Sequence, residues 1–354
     1  MFPRLADHHA VAGWVGNHRL TSPVRYRRPF APSSSTPTFD RDSPLIPKTL
    51  GILKILKILK MSDLPPNVKS ILVINPNTST HMTNALIPVL DSLGHEGIQF
   101  DYYTAPASES VQLTDGRVMH GVPSIDSGED SVRSALYCMP FLEPLVSEYE
   151  GFIVACFSAH PLVGMLKEKV RSIEDEESLG LPSEMKVKKK YVTGIFEAGV
   201  LASLGVISSF QITEDPGFEK AQSRDTFGII STGKAWEAEL SKAVANMLGS
   251  SGDPKSTGRF AGVETTGLTA GELHSTPPGE VRKRLVEATE RLIKGAPNPV
   301  GAICMGCAGM VGMEDAVREG CVRAYGRQRG NQVRIVDGVI AAAGMLATAC
   351  KAGF

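Results

Sequence analysis

From Lys69 onward, apolar runs of four to six residues alternate with longer segments of helical period. Strands buried on both faces read as continuous apolar runs, and helices between them supply the crossovers, so the alternation predicts an α/β fold with parallel sheets. Strands are expected over 71–74, 98–103, 151–156, 191–193, 226–230, 260–263, 301–307 and 333–336. Helices are expected over 80–93, up to about 149, from Pro161, and over 235–248, 278–293 and 340–349. Pro161 is well placed to open its helix, because the first turn needs no proline N–H. The turn Asn75-Pro76-Asn77-Thr78-Ser79 is rich in acceptors that can cap the helix after it.

This rhythm occurs twice. A strand ending at Asn75 is followed, after one further strand, by one ending at Cys156; a strand ending at Thr232 is followed in the same way by one ending at Cys307. Two pseudo-symmetric lobes explain the repetition. The first is expected over 66–195, with a C-terminal helix at 338–352 returning to it, and the second over 196–337. Ligands of such sheets sit beyond the carboxyl ends of the strands, so the active site is expected between the lobes, with Asn75, Cys156, Thr232 and Cys307 at one cleft.

The 37 basic and 38 acidic residues nearly cancel, which leaves no electrostatic footprint for nucleic acid. No apolar run approaches the roughly 18 residues that cross a bilayer. Six cysteines in 354 residues are too sparse for a disulfide scaffold and suggest reduced thiols in a cytoplasmic protein. Residues 1–65 are proline-punctuated, without a sustained period, and read as a disordered N-terminal extension or a leader, with Met61 as the working start. Within it, GILKILKILK at 51–60 has the pattern of a short basic amphipathic turn. The charged stretch 171–190 reads as a solvated insertion.

Two strands that each deliver one thiol to a sheet edge suggest a paired acid and base: one sulfur removes a proton from carbon while the other returns it from the opposite face. A cysteine acts as a base only as thiolate, and both thiols precede predicted helices, whose N-termini favour that form. The competing fate of each is to be a small buried hydrophobe. Glycine at 309 lets the Ala308-Gly309 backbone approach a ligand closely and donate hydrogen bonds. Cys304 and Cys307 also form a C-x-x-C, but Cys304 falls inside the strand, out of phase with Cys307, and no second cysteine pair completes a zinc set. No metal is expected.

Together ILVINPNTS at 71–79, PSIDS at 123–127, ACFS at 155–158, VTGIFEA at 192–198, TTG at 265–267 and GCAGM at 306–310 resemble the Asp/Glu/hydantoin racemase superfamily, on its hydantoin and allantoin racemase side. The resemblance spans about 69–350. It implies catalytic roles for Cys156 and Cys307, no cofactor, and a ligand-binding role for Asn75. With it go the substrate-binding candidates Thr78, Phe157, Ser158, Ser231, Thr232, Thr266, Ala308 and Gly309. Relatives acting on aspartate or glutamate resemble Cys-Asn-Thr and Cys-Thr patterns that hold an α-carboxylate; Phe157 and Ala308 stand in those places here. A small neutral cyclic ureide, either allantoin or a 5-substituted hydantoin, is therefore the expected substrate.

Ala159-His160 departs from the family pattern after Cys-Phe-Ser, which makes His160 a candidate to contact substrate or tune Cys156. Glu197 is a candidate to orient cleft groups, with a structural role in the first turn of a helix as its alternative. The competing functions are an Asp/Glu racemase, a maleate isomerase or malonate decarboxylase using the same enolate, and a non-catalytic binding protein. Homo-oligomer formation is left open by the sequence.

Overall fold

The structure, a computed structural model, describes residues 67–180, 187–207, 225–250 and 258–354. The expectations for 1–65, and most of the segment between 207 and 225, fall outside the described residues.

The first part of the chain runs β1 (Lys69–Asn75), α1 (Thr80–Ser92), β2 (Ile98–Thr104), β3 (Ser110–Gln112), β4 (Val118–His120), α2 (Gly128–Leu142), β5 (Gly151–Val154), α3 (Pro161–Gly180), β6 (Tyr191–Gly194) and α4 (Ile195–Ile207). The second runs β7 (Thr226–Ser231), α5 (Trp236–Met247), β8 (Phe260–Thr265), α6 (Glu272–Ser275), α7 (Pro278–Gly295), β9 (Val300–Met305), α8 (Glu314–Tyr325), α9 (Arg327–Gly330), β10 (Arg334–Asp337) and α10 (Gly338–Ala352). Two four-stranded parallel sheets result, ordered β2-β1-β5-β6 and β8-β7-β9-β10. Each places its first strand beside its second and third, and its fourth at the far edge, so the halves share one topology.

Sequence pattern explains the layering. Residues 71–74 are fully buried, as a strand covered by helices on both faces requires. In α7, Val281, Leu285, Val286 and Leu292 turn inward, while Lys294 and Glu290 pair at 2.6 Å on the outside. Ser127 caps α2: its hydroxyl oxygen accepts the Asp130 N–H at 3.1 Å, and the Asp130 carboxylate accepts the Asp126 N–H at 3.3 Å.

The last helix of each half crosses over. α4 leaves the first sheet and packs on β7, β9 and β10, whereas α10 leaves the second and packs on β1, β5 and β6; the two helices also touch each other. Glycines permit the approach. A Cβ on Gly338 would run into the Ile195 carbonyl oxygen, and one on Gly199 would lie 2.7 Å from Cys304 Sγ. Cys304 is sealed in this crossing, fully buried.

Three segments differ from the sequence expectation. The polar loop after β2 holds the antiparallel pair β3–β4. The charged stretch is not simply solvated: its first half continues α3, and Glu174 then accepts the Lys190 N–H at 2.9 Å, while Lys188 pairs with buried Glu150 at 2.6 Å. After Cys307 comes only a 3-10 turn, Ala308–Met310, and the α-helix waits until Glu314, because Gly312 takes a left-handed φ of 82°. Among the described residues no helix is long and apolar enough to cross a membrane.

Candidate active site

Both thiols leave central strands in the same way. The Ala155 N–H donates to the Ile74 carbonyl at 2.8 Å and the Gly306 N–H to that of Ile230 at 2.7 Å, each extending the ladder one step past its strand. The next residue in each case is the cysteine. By this register the counterpart of Asn75 is Ser231 rather than Thr232.

Cys156 and Cys307 line one cavity. From the first half its wall takes Asn77, Met82, Ile125, Ala155 and Phe157; from the second, Thr232, Trp236, Ala270, Gly306 and Ala308. None of these side chains is charged. Phe157 meets Phe196 edge-on, with centroids 5.5 Å apart at 88°, which fixes it as a wall.

Each sulfur has a hydrogen-bonding neighbour. Cys307 Sγ accepts the Gly309 N–H at 3.3 Å, so this amide is committed to the sulfur rather than to a ligand. Cys156 Sγ lies 3.6 Å from Ser158 Oγ, which in turn contacts Ser131 Oγ at 3.3 Å. Both cysteines are half-buried. Removal from water disfavours the thiolate, and with a smaller contribution from the Asp126 carboxylate it pushes Cys156 up to about 12 and Cys307 up to about 11. The expectation that helix N-termini lower these thiols is thus corrected: α3 begins several residues beyond Cys156, and no α-helix follows Cys307 directly.

Several predicted residues stand behind the wall instead of in it. Asn75 spends its amide on the Ser79 carbonyl at 3.0 Å and Thr83 Oγ1 at 3.1 Å, and its Oδ1 accepts the Asn77 N–H at 3.2 Å; it shapes the turn that presents Asn77. Thr78 donates its N–H to the Val122 carbonyl at 2.9 Å and is not in the cavity wall. Ser231 Oγ donates to the Gly306 carbonyl at 3.0 Å, and Thr266 Oγ1 to the Thr232 carbonyl at 3.3 Å; both brace the wall.

His160 does not reach the cavity. It is buried, its Nδ1 accepts the Leu162 N–H at 3.3 Å, and its Nε2 lies 3.0 Å from Ser134 Oγ. Burial drops its pKa to about 4, so it is a neutral structural group. Glu197 is also outside the wall. Its Oε2 is buried without a hydrogen-bond partner among the described residues, and burial raises its carboxyl.

Sequence reasoning missed Asn77, Met82, Ile125, Trp236 and Ala270 as wall residues. Three of them lay inside quoted motifs or beside one: Asn77 in the β1 turn, Met82 just after it, Ile125 in PSIDS. Trp236, one of two tryptophans in the chain, opens α5. Asp126 was missed as the carboxylate that acts on both thiols; its Oδ1 accepts the Ala270 N–H at 3.3 Å and so ties the two halves together.

Two parallel sheets with a cysteine at the end of each third strand, meeting at one uncharged cavity, define a two-thiol cleft protein. Residues 71–173 and 189–346 match the Asp/Glu/Hydantoin racemase family, and the chain belongs to it. Membership suggests an isomerase. The chain is 29% identical over 280 residues to an uncharacterised protein of Schizosaccharomyces pombe, covering 78% of this chain and 90% of that one. Its fold is similar to that of allantoin racemase from Pseudomonas fluorescens, with a TM-score of 0.54 and 19% identity over 80% of this chain and 92% of the other. Allantoin racemase from Klebsiella pneumoniae gives a TM-score of 0.53 at 19% identity, over 81% and 89%. At these identities the likeness is one of fold.

Proposed function

We propose that the protein is a cofactor-independent racemase of a small neutral ring, allantoin or a 5-substituted hydantoin, with Cys156 and Cys307 as paired base and acid. The observation that carries this reading is the common cavity: both cysteines line it and, among the described residues, no charged side chain does. An amino acid substrate would bring an α-carboxylate into a site whose wall, among the described residues, offers it no cation, and where the Asp126 carboxylate already acts on both thiols. A neutral ring avoids that cost.

In the proposed step one cysteine, as thiolate, takes the C5 proton; the C–H bond breaks, an S–H bond forms, and charge passes to the adjacent ring carbonyl. Backbone amides beside the thiols, those of Phe157 and Ala308, hold the enolate oxygen. The other cysteine gives its S–H proton to the far face of C5. The pair ends with its proton moved from one sulfur to the other and its total charge unchanged. A ring C5 proton is acidified by the neighbouring carbonyl, and a thiol raised by burial gives a stronger thiolate base.

The test is polarimetry or chiral chromatography on enantiopure allantoin, 5-substituted hydantoins, aspartate and glutamate. Loss of optical activity from a ring substrate alone is expected. Turnover of aspartate or glutamate with inert rings overturns the substrate assignment, and inertness toward all of them points to a binding protein.

A further inference from the structure

Every wall residue of the two-thiol cavity other than the cysteines themselves is buried. A ring can reach the sulfurs only if part of that wall moves aside. The chain's own path shows where such movement is cheap.

Because α4 packs on the second sheet and α10 on the first, the molecule consists of two bodies, 67–194 with 338–354 and 195–337. Among the described residues the polypeptide passes between them at two points, from Gly194 to Ile195 and from Asp337 to Gly338. At both, a strand runs directly into a helix. The two junctions touch, since a Cβ on Gly338 would run into the Ile195 carbonyl oxygen. Phe157 leans on this spot: a Cβ on Gly338 would lie 3.3 Å from its ring and one on Gly199 3.2 Å. Two adjacent links at the ends of elements, beside one side of the cavity, have the form of a hinge.

Elsewhere around the cleft the ties between the bodies are light. Glu239 Oε1 on α5 accepts the Gly128 N–H at 3.1 Å, Asp126 Oδ1 accepts the Ala270 N–H at 3.3 Å, and His81 meets His274 edge-on with ring centroids 5.3 Å apart. The first of these ties stands on the wall of a second cavity. Gly128, Ser131 and Ser158 line it from one body, Glu239 and Leu240 from the other, and Trp236 belongs to the walls of both cavities. Glu239 is exposed, so water can replace both partners of its hydrogen bond and the net cost of breaking it is small.

We propose that the two bodies part about the paired junctions at 194–195 and 337–338, that the Glu239–Gly128 hydrogen bond is the latch, and that a ligand reaches the thiols through the second cavity, past Trp236. The identity of that ligand rests on the two-thiol reading above; the hinge and latch do not. Glu239 acts on access and does not touch substrate.

The experiment is alkylation of the full chain by iodoacetamide at one fixed pH, resolved cysteine by cysteine by mass spectrometry. A reagent that reacts through the open form reports the opening equilibrium. Glu239→Ala removes the latch and is expected to speed Cys156 and Cys307 together by about threefold to tenfold, the factor for one hydrogen bond net of its replacement by water. Gly128→Ala is the second variant. Its Cβ would lie 2.6 Å from Glu239 Oε2, so it displaces the carboxylate without removing the charge, and the same joint acceleration is expected. Neither residue is among the groups that raise the two thiols, so a change in rate reads access and not acidity. Fully buried Cys138 and Cys304 serve as controls, because they react only when the fold itself opens. Unchanged rates in both variants, acceleration of one active-site thiol without the other, or acceleration only in company with Cys138 and Cys304 overturns the proposal. The labelling needs no turnover. If no substrate is racemised, the function proposed above fails while the labelling still decides the hinge and latch.

Discussion

Cys156 and Cys307 leave their sheets in the same way and meet different company. Each follows a ladder hydrogen bond that extends the third strand of its sheet, and each opens on the same cavity. Cys307 is held by a backbone N–H, that of Gly309, in a glycine-rich turn beside exposed His274. Cys156 is held by a side-chain hydroxyl, that of Ser158, backed by Ser131 and near a buried Ser134–His160 pair. Burial pushes the Cys156 thiol higher than the Cys307 thiol, to about 12 against about 11. The comparison separates what duplicated topology fixes, the position of the sulfur, from what the loops decide, its hydrogen-bond partner.

The largest effect tests the sameness. Cys156→Ala and Cys307→Ala should each lower racemisation by about 10²–10⁴-fold or more, the range for losing a positioned acid or base, with the fold retained by circular dichroism. In D2O each variant should still exchange the C5 hydrogen of one enantiomer, because the remaining thiol takes a proton and returns deuterium on its own face. The two variants should pick opposite enantiomers. Exchange of the same enantiomer by both would mean that the sulfurs do not flank one carbon.

The second test concerns the buried histidine that sets the Cys156 side apart. The folded-state pKa of His160 is depressed to about 4, below its unfolded value, so unfolded chains bind a proton that folded ones refuse between these two values. The stability from keeping it neutral is complete above the unfolded pKa of about 6.5 and is lost as pH falls through the folded one. Its total size is about 3 kcal/mol. Urea midpoints for the natural protein should therefore fall from neutral pH toward pH about 4 more steeply than those of His160→Gln. Parallel curves would show that His160 titrates normally.

How much of this was readable beforehand follows the physics of each segment. Residues 71–74 and the runs into Cys156 and Cys307 are continuous apolar stretches, so strand ends and thiols were placed from sequence alone. The β3–β4 pair was hidden because three-residue strands, each with a single inward side chain, Val111 or Met119, are too short to carry a periodic signal. The exchange of Asn75 for Asn77 at the wall was hidden because both are turn acceptors, and only the backbone path decides which of them faces the cavity. Trp236 and Ala270 reach the wall from separate segments of the second half, and that convergence is tertiary.

The smallest expected effect sharpens the contrast between a backbone and a side-chain partner. Ser158→Ala removes the hydroxyl that draws the Cys156 thiol downward, a contact that at 3.6 Å is weak. The thiol should rise further, and kcat/KM at neutral pH should fall by about threefold to tenfold, the value of one modest hydrogen bond. The alkaline rise of the pH–rate profile should move upward accordingly, while Ser158→Thr, which keeps the hydroxyl, should restore it. The loss must be the same for both enantiomers, because they are equal in free energy and the equilibrium constant of a racemisation is one. Unequal losses in kcat/KM would show that the reaction is not a racemisation at all, and would move the two thiols to an irreversible use of the same enolate.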